Sequence, residues 1–260
     1  MADLEYTVKD GVGTILLNRP AKKNAFTMEM IDQWAQILVD ARTDPDVRVI
    51  LLTGAGDGFC SGVDLGGFDR ENRTTLDRKR VLTDRIHRIA YALEDLDKPV
   101  IAAINGVAVG AGMDMALMCD IRVAASSVRL SEGYIRVGLV PGDGGAYFLP
   151  RLVGVSKALE LLWTGDFIDA QTALDLGIVS YVYDDAEFAD KARAFAEKLA
   201  AAPPINVAMI KRAVYQSARA DLRTALDLIS SHMAVVQGTH DSQEAMAAFR
   251  EKRPPKFENR

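Results

Sequence analysis

Two cysteines, Cys60 and Cys119, in 260 residues are too few for a disulfide framework, and they fit a reducing, cytoplasmic setting. Histidine is also scarce: His87, His232 and His240 are the whole set, and no His/Cys spacing resembles a metal site, so no metal is expected. The opening Met-Ala-Asp-Leu-Glu-Tyr lacks a basic segment followed by an apolar run, so no signal peptide is expected. Long apolar runs are missing. The most apolar stretch, Val100 to Cys119, is interrupted by Asn105, Asp114 and several glycines, which suits a buried strand, loop and helix better than a membrane span. The formal net charge of -5 gives no general attraction to nucleic acid or an anionic membrane. No Gly-x-Gly-x-x-Gly opens a helix with a suitable acidic residue downstream, and no Gly-Lys-Ser/Thr follows a glycine cluster, which excludes dinucleotide and P-loop chemistry.

What is present alternates. Leu4–Lys9 and Val12–Asn18 flank Asp10-Gly11 and predict a hairpin. Thr27 is placed to cap a helix carrying Met30, Ile31, Trp34, Ile37 and Leu38 at helical spacing. Val47–Thr53, Val100–Ile104, Ile121–Ala125 and Ile178–Val182 predict strands, the first two apolar enough for burial on both faces. Thr75–Leu96 and Ala111–Met118 predict helices, and Pro141–Gly145 opens another. From Asp184 the pattern is almost wholly helical. Alternation implies parallel strands with helical crossovers, an α/β fold. No linker of useful length appears, so residues 1–200 are expected to form the α/β core and residues 201–260 a helical part of the same unit.

Three glycine clusters stand out: Gly54 to Gly58, Gly106 to Gly112, and Gly142 to Gly145. Singly, each reads as tight turns. Two of them, however, follow buried strands. Phe59-Cys60-Ser61-Gly62-Val63-Asp64-Leu65 follows the first, and Asn105 through Asp114 follows the second. Small residues at a strand-to-helix turn leave backbone N–H groups free, and two such donors converging on one point make an oxyanion hole.

These motifs resemble those of the crotonase superfamily, the enoyl-CoA hydratase/isomerase family. Phe59 to Leu65 is similar to its first oxyanion motif, and Ile104-Asn105-Gly106 through Asp120-Ile121-Arg122 to its second. Gly138 to Gly145 with Arg151-Leu152-Val153-Gly154, Asn18-Arg19-Pro20 with Asn24-Ala25, and Phe249 to Pro255 match further segments in the same order across the chain. The resemblance implies a spiral of β-β-α units, a helical C-terminal part that trimerises, often as a dimer of trimers, and an acyl-CoA thioester whose carbonyl sits between two amides. By position those amides are assigned to Ser61 and Ala111. No tightly bound cofactor is implied; coenzyme A enters as part of the substrate.

The side chains depart from the two-glutamate pattern of the family's hydratases. Asp114 and Tyr134 occupy the two positions, and Asp143, in the third glycine cluster, is a rival acid. Each has a plainer reading: Asp114 as a helix-start carboxylate, Tyr134 as packing, Asp143 as a helix cap. Glu132 stands two residues before Tyr134, on the opposite side of an extended segment from Gly133, and has no role assigned. Cys60 lacks the partnered histidine a nucleophile needs. For coenzyme A, the resemblance implies Lys22, Lys23, Ala25, Ser61, Gly62, Asp64 and Leu65 near the mouth, with Phe249 and Lys252 contributed across a subunit boundary. The basic cluster Arg78, Lys79, Arg80, Arg85, Arg88 reads as a solvated helix face; an RNA-binding relative is the alternative, which the net charge and the lack of interleaved aromatics oppose. The leading expectation is hydration of an enoyl-CoA. Double-bond isomerisation comes second, and hydrolase or decarboxylase variants stay open.

Overall fold

The computed structural model describes residues 2–64, 66 and 74–260. The chain opens on an antiparallel hairpin of β1 (Leu4–Lys9) and β2 (Val12–Leu17). Its turn residues Asp10 and Gly11 both have positive φ, which matches the twist of the flanking strands. Helix α1 (Met28–Thr43) follows, with the Thr27 hydroxyl accepting from the Met30 N–H and one face, including Ile31, Trp34 and Leu38, buried.

The chain then repeats a β-β-α unit three times. The first holds β3 (Val49–Gly54) and β4 (Gly58–Cys60), followed by α2 (Thr75–Arg80) and α3 (His87–Glu94), which are joined by a π-helical turn over Val81–Ile86. The second holds β5 (Val100–Ile104), β6 (Val107–Val109) and α4 (Ala111–Leu117). The third holds β7 (Ile121–Ala125), β8 (Arg129–Ser131) and α5 (Gly145–Val153). Helix α6 (Val155–Thr164), strand β9 (Ile168–Asp169), helix α7 (Ala170–Asp175) and strand β10 (Tyr181–Tyr183) come next. First strands of the units line up in a six-stranded sheet ordered β1-β2-β3-β5-β7-β10, and second strands in a four-stranded sheet ordered β4-β6-β8-β9. Apart from the β1–β2 and β8–β9 edges the pairings are parallel. This is the spiral of β-β-α units that the motifs implied.

Helix α8 (Asp185–Ala200) buries Phe188, Ala192, Ala196 and Ala200. The last three helices, α9 (Pro204–Ser217), α10 (Leu222–Gln237) and α11 (His240–Glu251), bury much less; no residue of α9 is fully covered. Ile210, Val214, Leu222, Leu226, Met233 and Phe249 stand exposed on them.

Several expected boundaries move. The Gly54–Gly67 loop contains β4, a strand too short to show as a hydrophobic run. The single helix expected over 75–96 is split by the π turn and ends at Glu94. The late strand starts at Tyr181, because Ile178 and Val179 are buried where the chain leaves α7. Among the described residues no helix is long and apolar enough to cross a membrane.

Candidate active site

The three short parallel strands carry the site. Cys60 pairs with Ala108, and Val109 with Ser131, so β4, β6 and β8 end at one edge of the small sheet. Residues 61–64, 110–114 and 132–134 leave from that edge together, the end at which open parallel sheets bind ligands.

The first amide assignment needs correction. The Ser61 N–H donates to the Lys23 carbonyl at 2.9 Å, and the Ser61 hydroxyl donates to the Lys22 carbonyl at 3.1 Å. Two residues on, Phe26 and Val63 form a parallel bridge in which the Phe26 N–H donates to Gly62 O and the Asp64 N–H to Phe26 O, each at 2.9 Å. Such a bridge takes up the groups on either side of Val63 and turns the Val63 amide away from its partner strand. Among the described residues the Val63 N–H has no backbone acceptor, and neither does the Ala111 N–H in the first turn of α4. Gly62, at φ 93°, packs onto that turn: a Cβ there would lie 3.6 Å from Ala111 N. Gly112 lies so close to the Cys60 carbonyl that no side chain fits, which lets α4 rest on the end of β4. Val63 and Ala111, not Ser61 and Ala111, are therefore the paired free donors.

A buried acid cluster begins in the same turn of α4, at Asp114. The Tyr134 hydroxyl is 2.7 Å from Asp114 Oδ2 and 2.8 Å from Asp143 Oδ2. Its single proton is donated to one carboxylate, so the other contact requires a protonated carboxyl donating to the phenol oxygen. Asp114 projects from the first turn of α4, where its N–H donates to Gly110 O at 2.9 Å. Tyr134 lies in a 3-10 turn over Gly133–Val137. Asp143 does not cap α5; that position belongs to Gly144, at φ 136°, and Asp143 is buried. His87 Nε2 lies 2.8 Å from the Gly142 carbonyl, so it carries a proton and donates, holding the loop beside Asp143.

Glu132 is the residue that sequence reasoning left without a role. It is 1% exposed and turns into the same cluster. A methyl carbon built on Gly145 would lie 2.9 and 3.1 Å from the two Glu132 oxygens and nearer still to Asp114 Oδ1. No local signal marks it: β8 ends at Ser131 and a 3-10 turn begins at Gly133, so the alternation of an extended segment does not relate Glu132 to Tyr134.

Burial dominates the electrostatics. It raises Asp114 to about 7, with the neighbouring Asp143 charge adding to it and the Tyr134 hydroxyl opposing it. Glu132 is raised further, to about 10, by burial and by the charges of Asp114 and Asp143. Asp143 also titrates above the usual carboxylate range because it is buried, against the pull of Tyr134 and the imidazole of His87. The phenol of Tyr134 is driven upward by burial and by both aspartates, so it stays neutral. Burial lifts the Cys60 thiol to about 12, which removes it as a nucleophile.

The residues expected to meet coenzyme A are spread more widely. Lys22 is exposed, next to Ser61 through its carbonyl, while Lys23 is tied to Asp57 at 2.5 Å. The Ala25 carbonyl accepts from Arg19, whose other nitrogen pairs with Asp64 at 2.7 Å; Asp64 also accepts from the Gly66 N–H, so it braces the turn. Leu65 lies outside the described residues. Phe249, 82% exposed on α11, and Lys252, at the end of that helix, have no hydrogen bond or ion pair to the acid cluster. Arg85 and Arg88 of the basic helix pair with Asp32 on α1. Among the described residues no group of three or more ligating side chains is set to hold a metal.

Two free amides past the strand ends and a buried cluster of acids thus gather at one edge of the small sheet of an α/β scaffold. The family model described as Enoyl-CoA hydratase/isomerase matches residues 7–260. A 1,2-epoxyphenylacetyl-CoA isomerase of Escherichia coli is 37% identical over 96% of both chains, and a short-chain-enoyl-CoA hydratase of Clostridium acetobutylicum is 34% identical over 97% of both. The crystal structure of an enoyl-CoA hydratase from Bacillus anthracis covers all of both chains at 35% identity, with a TM-score of 0.93. The chain belongs to the enoyl-CoA hydratase/isomerase family, the crotonase superfamily.

Proposed function

We propose that the protein moves a carbon–carbon double bond along an acyl-CoA thioester, through an enolate whose oxygen is held by the Val63 and Ala111 amides. The observation that carries this reading is the direct bridge from Asp114 through the Tyr134 hydroxyl to Asp143. Hydration as expected from the motifs asks Tyr134 to hold a water against Asp114. Here that hydroxyl already engages two carboxyls.

In isomerisation the bridge is useful as it stands. An Asp114 carboxylate removes a proton from the carbon beside the thioester carbonyl, and the C–H electron pair moves toward the carbonyl oxygen. Two preorganised N–H donors lower the energy of that oxyanion; losing one typically costs about 10²–10³ in rate. The electron pair then returns through the conjugated system to the far carbon of the allylic unit, which takes up a proton. Asp114, Tyr134 and Asp143 form a line along which a proton shifts by small movements, so the acid can be regenerated at the end opposite the base. No atom is gained or lost. Hydration is the second reading, supported by Asp114 Oδ1 and Asp143 Oδ1, both buried and free of hydrogen bonds among the described residues. We also propose that α9 to α11 hold the chain in a trimer or dimer of trimers, which their exposed apolar residues support.

The test is a panel of 2-enoyl- and 3-enoyl-CoA thioesters followed by mass spectrometry. Isomerisation gives a product of unchanged mass with a moved double bond. A gain of water overturns the isomerase reading in favour of hydration, and loss of CO₂ or free CoA overturns both.

A further inference from the structure

Glu132 is buried beside the proposed base, and neither of its oxygens has a hydrogen-bond donor among the described residues. Asp114 Oδ1 is in the same condition. An ionised carboxylate held from water without a donor is strongly unfavourable, and two ionised carboxylates against each other are more so. One shared proton removes both penalties, because a protonated carboxyl is a donor and its neighbour an acceptor. The geometry allows this sharing: the Glu132 oxygens and Asp114 Oδ1 crowd the same point over Gly145, where a Cβ would lie within 3.1 Å of all three.

We propose that Glu132 is a positioning residue, a neutral carboxylic acid that donates its O–H to Asp114 Oδ1 and so fixes the Asp114 carboxylate with Oδ2 turned to Tyr134. The inference rests on the reading of Asp114 as the base. Gly145 completes the device, since any larger residue would drive the two carboxyls apart. The groups facing Asp114 are Glu132 and Tyr134 from the segment after β8 and Asp143 from the loop before α5; His87 on α3 acts on Asp143 from behind. Of these, Glu132 titrates highest among the carboxyls whose values are resolved, at about 10 against about 7 for Asp114, which agrees with its holding the proton.

Two variants and one turnover-independent measurement test it. Glu132→Gln keeps a donor toward Asp114, and Glu132→Leu removes it. A neutral donor favours the charged form of Asp114, so its loss should move the acid limb of the kcat profile up by about one to two pH units, the shift expected for a lost hydrogen bond to a charged group. Glu132→Leu should therefore be about 5–50-fold slow near pH 7 and recover toward high pH with KM little changed, while Glu132→Gln keeps the native limb. Identical profiles for the two variants would overturn the proposal. Difference infrared spectroscopy of the unmodified protein at pH 8 against Glu132→Gln should show a carboxylic-acid C=O stretch, distinct from that of the carboxyl bonded to Tyr134, that is present only with Glu132. Its absence would overturn the proposal even if a variant folds poorly. Full activity in Asp114→Asn would instead remove the reading of Asp114 as base, and the infrared band would still report the protonation of Glu132.

Discussion

Adding one methyl group at Gly145 tests the acid cluster without removing any of its members. A Cβ at that position would stand 2.9 and 3.1 Å from the Glu132 oxygens and closer to Asp114 Oδ1, against an ordinary contact of at least 3.4 Å. The carboxyls must yield, and Asp114 most of all, by close to 1 Å. It is held there by the 2.7 Å contact to Tyr134, so yielding stretches or breaks the bridge. A displacement of about 1 Å in a reacting group costs on the order of 10² in rate. Overpacking adds about 1–3 kcal/mol of destabilisation, or roughly 3–10 °C in Tm for a chain of this size. The assay is incorporation of solvent deuterium into a 3-enoyl-CoA, which reports proton transfer whatever the product. Gly142→Ala is the matched control, because a Cβ there would meet Leu82 methyl groups at 3.5 and 3.6 Å, an ordinary contact. Native exchange rates in a folded Gly145→Ala protein would refute the placement of Asp114 and Glu132 against one another.

Replacing Ala111 with Pro removes its N–H at the first position of α4, where proline is tolerated, and should abolish turnover while circular dichroism stays native; retained activity would exclude that amide. Tyr134→Phe, Asp114→Asn and Asp143→Asn should each lose about 10²–10⁴ in rate, and the double variants should lose little more than the singles, because the bridge acts as a unit. The cluster should also make stability fall with rising pH. Asp114 and Glu132 titrate higher in the folded chain than in the unfolded one, so the folded state holds extra protons between about pH 4 and their raised values of about 7 and about 10. Their contribution is most favourable below about pH 4 and is lost as pH rises through that window, so Glu132→Gln should raise Tm at pH 8 more than at pH 5 by thermal melts. Light scattering at micromolar concentration should give a multiple of three of the 28.3 kDa chain; a monomer would leave the exposed face of α9 to α11 unexplained.

Long elements were legible in the sequence because burial repeats along them. The hairpin, α1 with its Thr27 cap, and the first strands of each unit follow from hydrophobic pattern and turn residues. The second strands did not show: β4, β6 and β8 have three residues each and gain their identity from pairing with one another across the chain. The β-β-α repeat was therefore foreseen only through the family resemblance of the motifs, not from hydrophobic pattern. The site divides in the same way. Asp114, Tyr134 and Asp143 were named from motif position, and the structure brings all three within hydrogen-bonding reach. Which amide near Ser61 is free depends on a parallel bridge to Phe26, a long-range pairing that no local motif encodes. Glu132 escaped because a charged residue next to a motif is ordinarily a surface residue, and only the packing of α5 over it at Gly145 makes it an interior acid.

The small sheet separates two tasks that many active sites mix. In the proposed reaction the main-chain N–H groups of residues 63 and 111 hold the thioester oxygen, and the first of them owes its direction to the Phe26–Val63 bridge rather than to side-chain identity. The proton transfers proposed above belong instead to side chains at 114, 132 and 134, just past the strand ends, and at 143 in the loop before α5, none of which takes part in that pairing. On that proposal, point substitutions in the acid cluster would change the fate of an enolate and leave the amides that stabilise it in place. A scaffold with such a division of labour would diversify its reactions one codon at a time, and the proposed roles of Asp114 and Tyr134 make them one such revision.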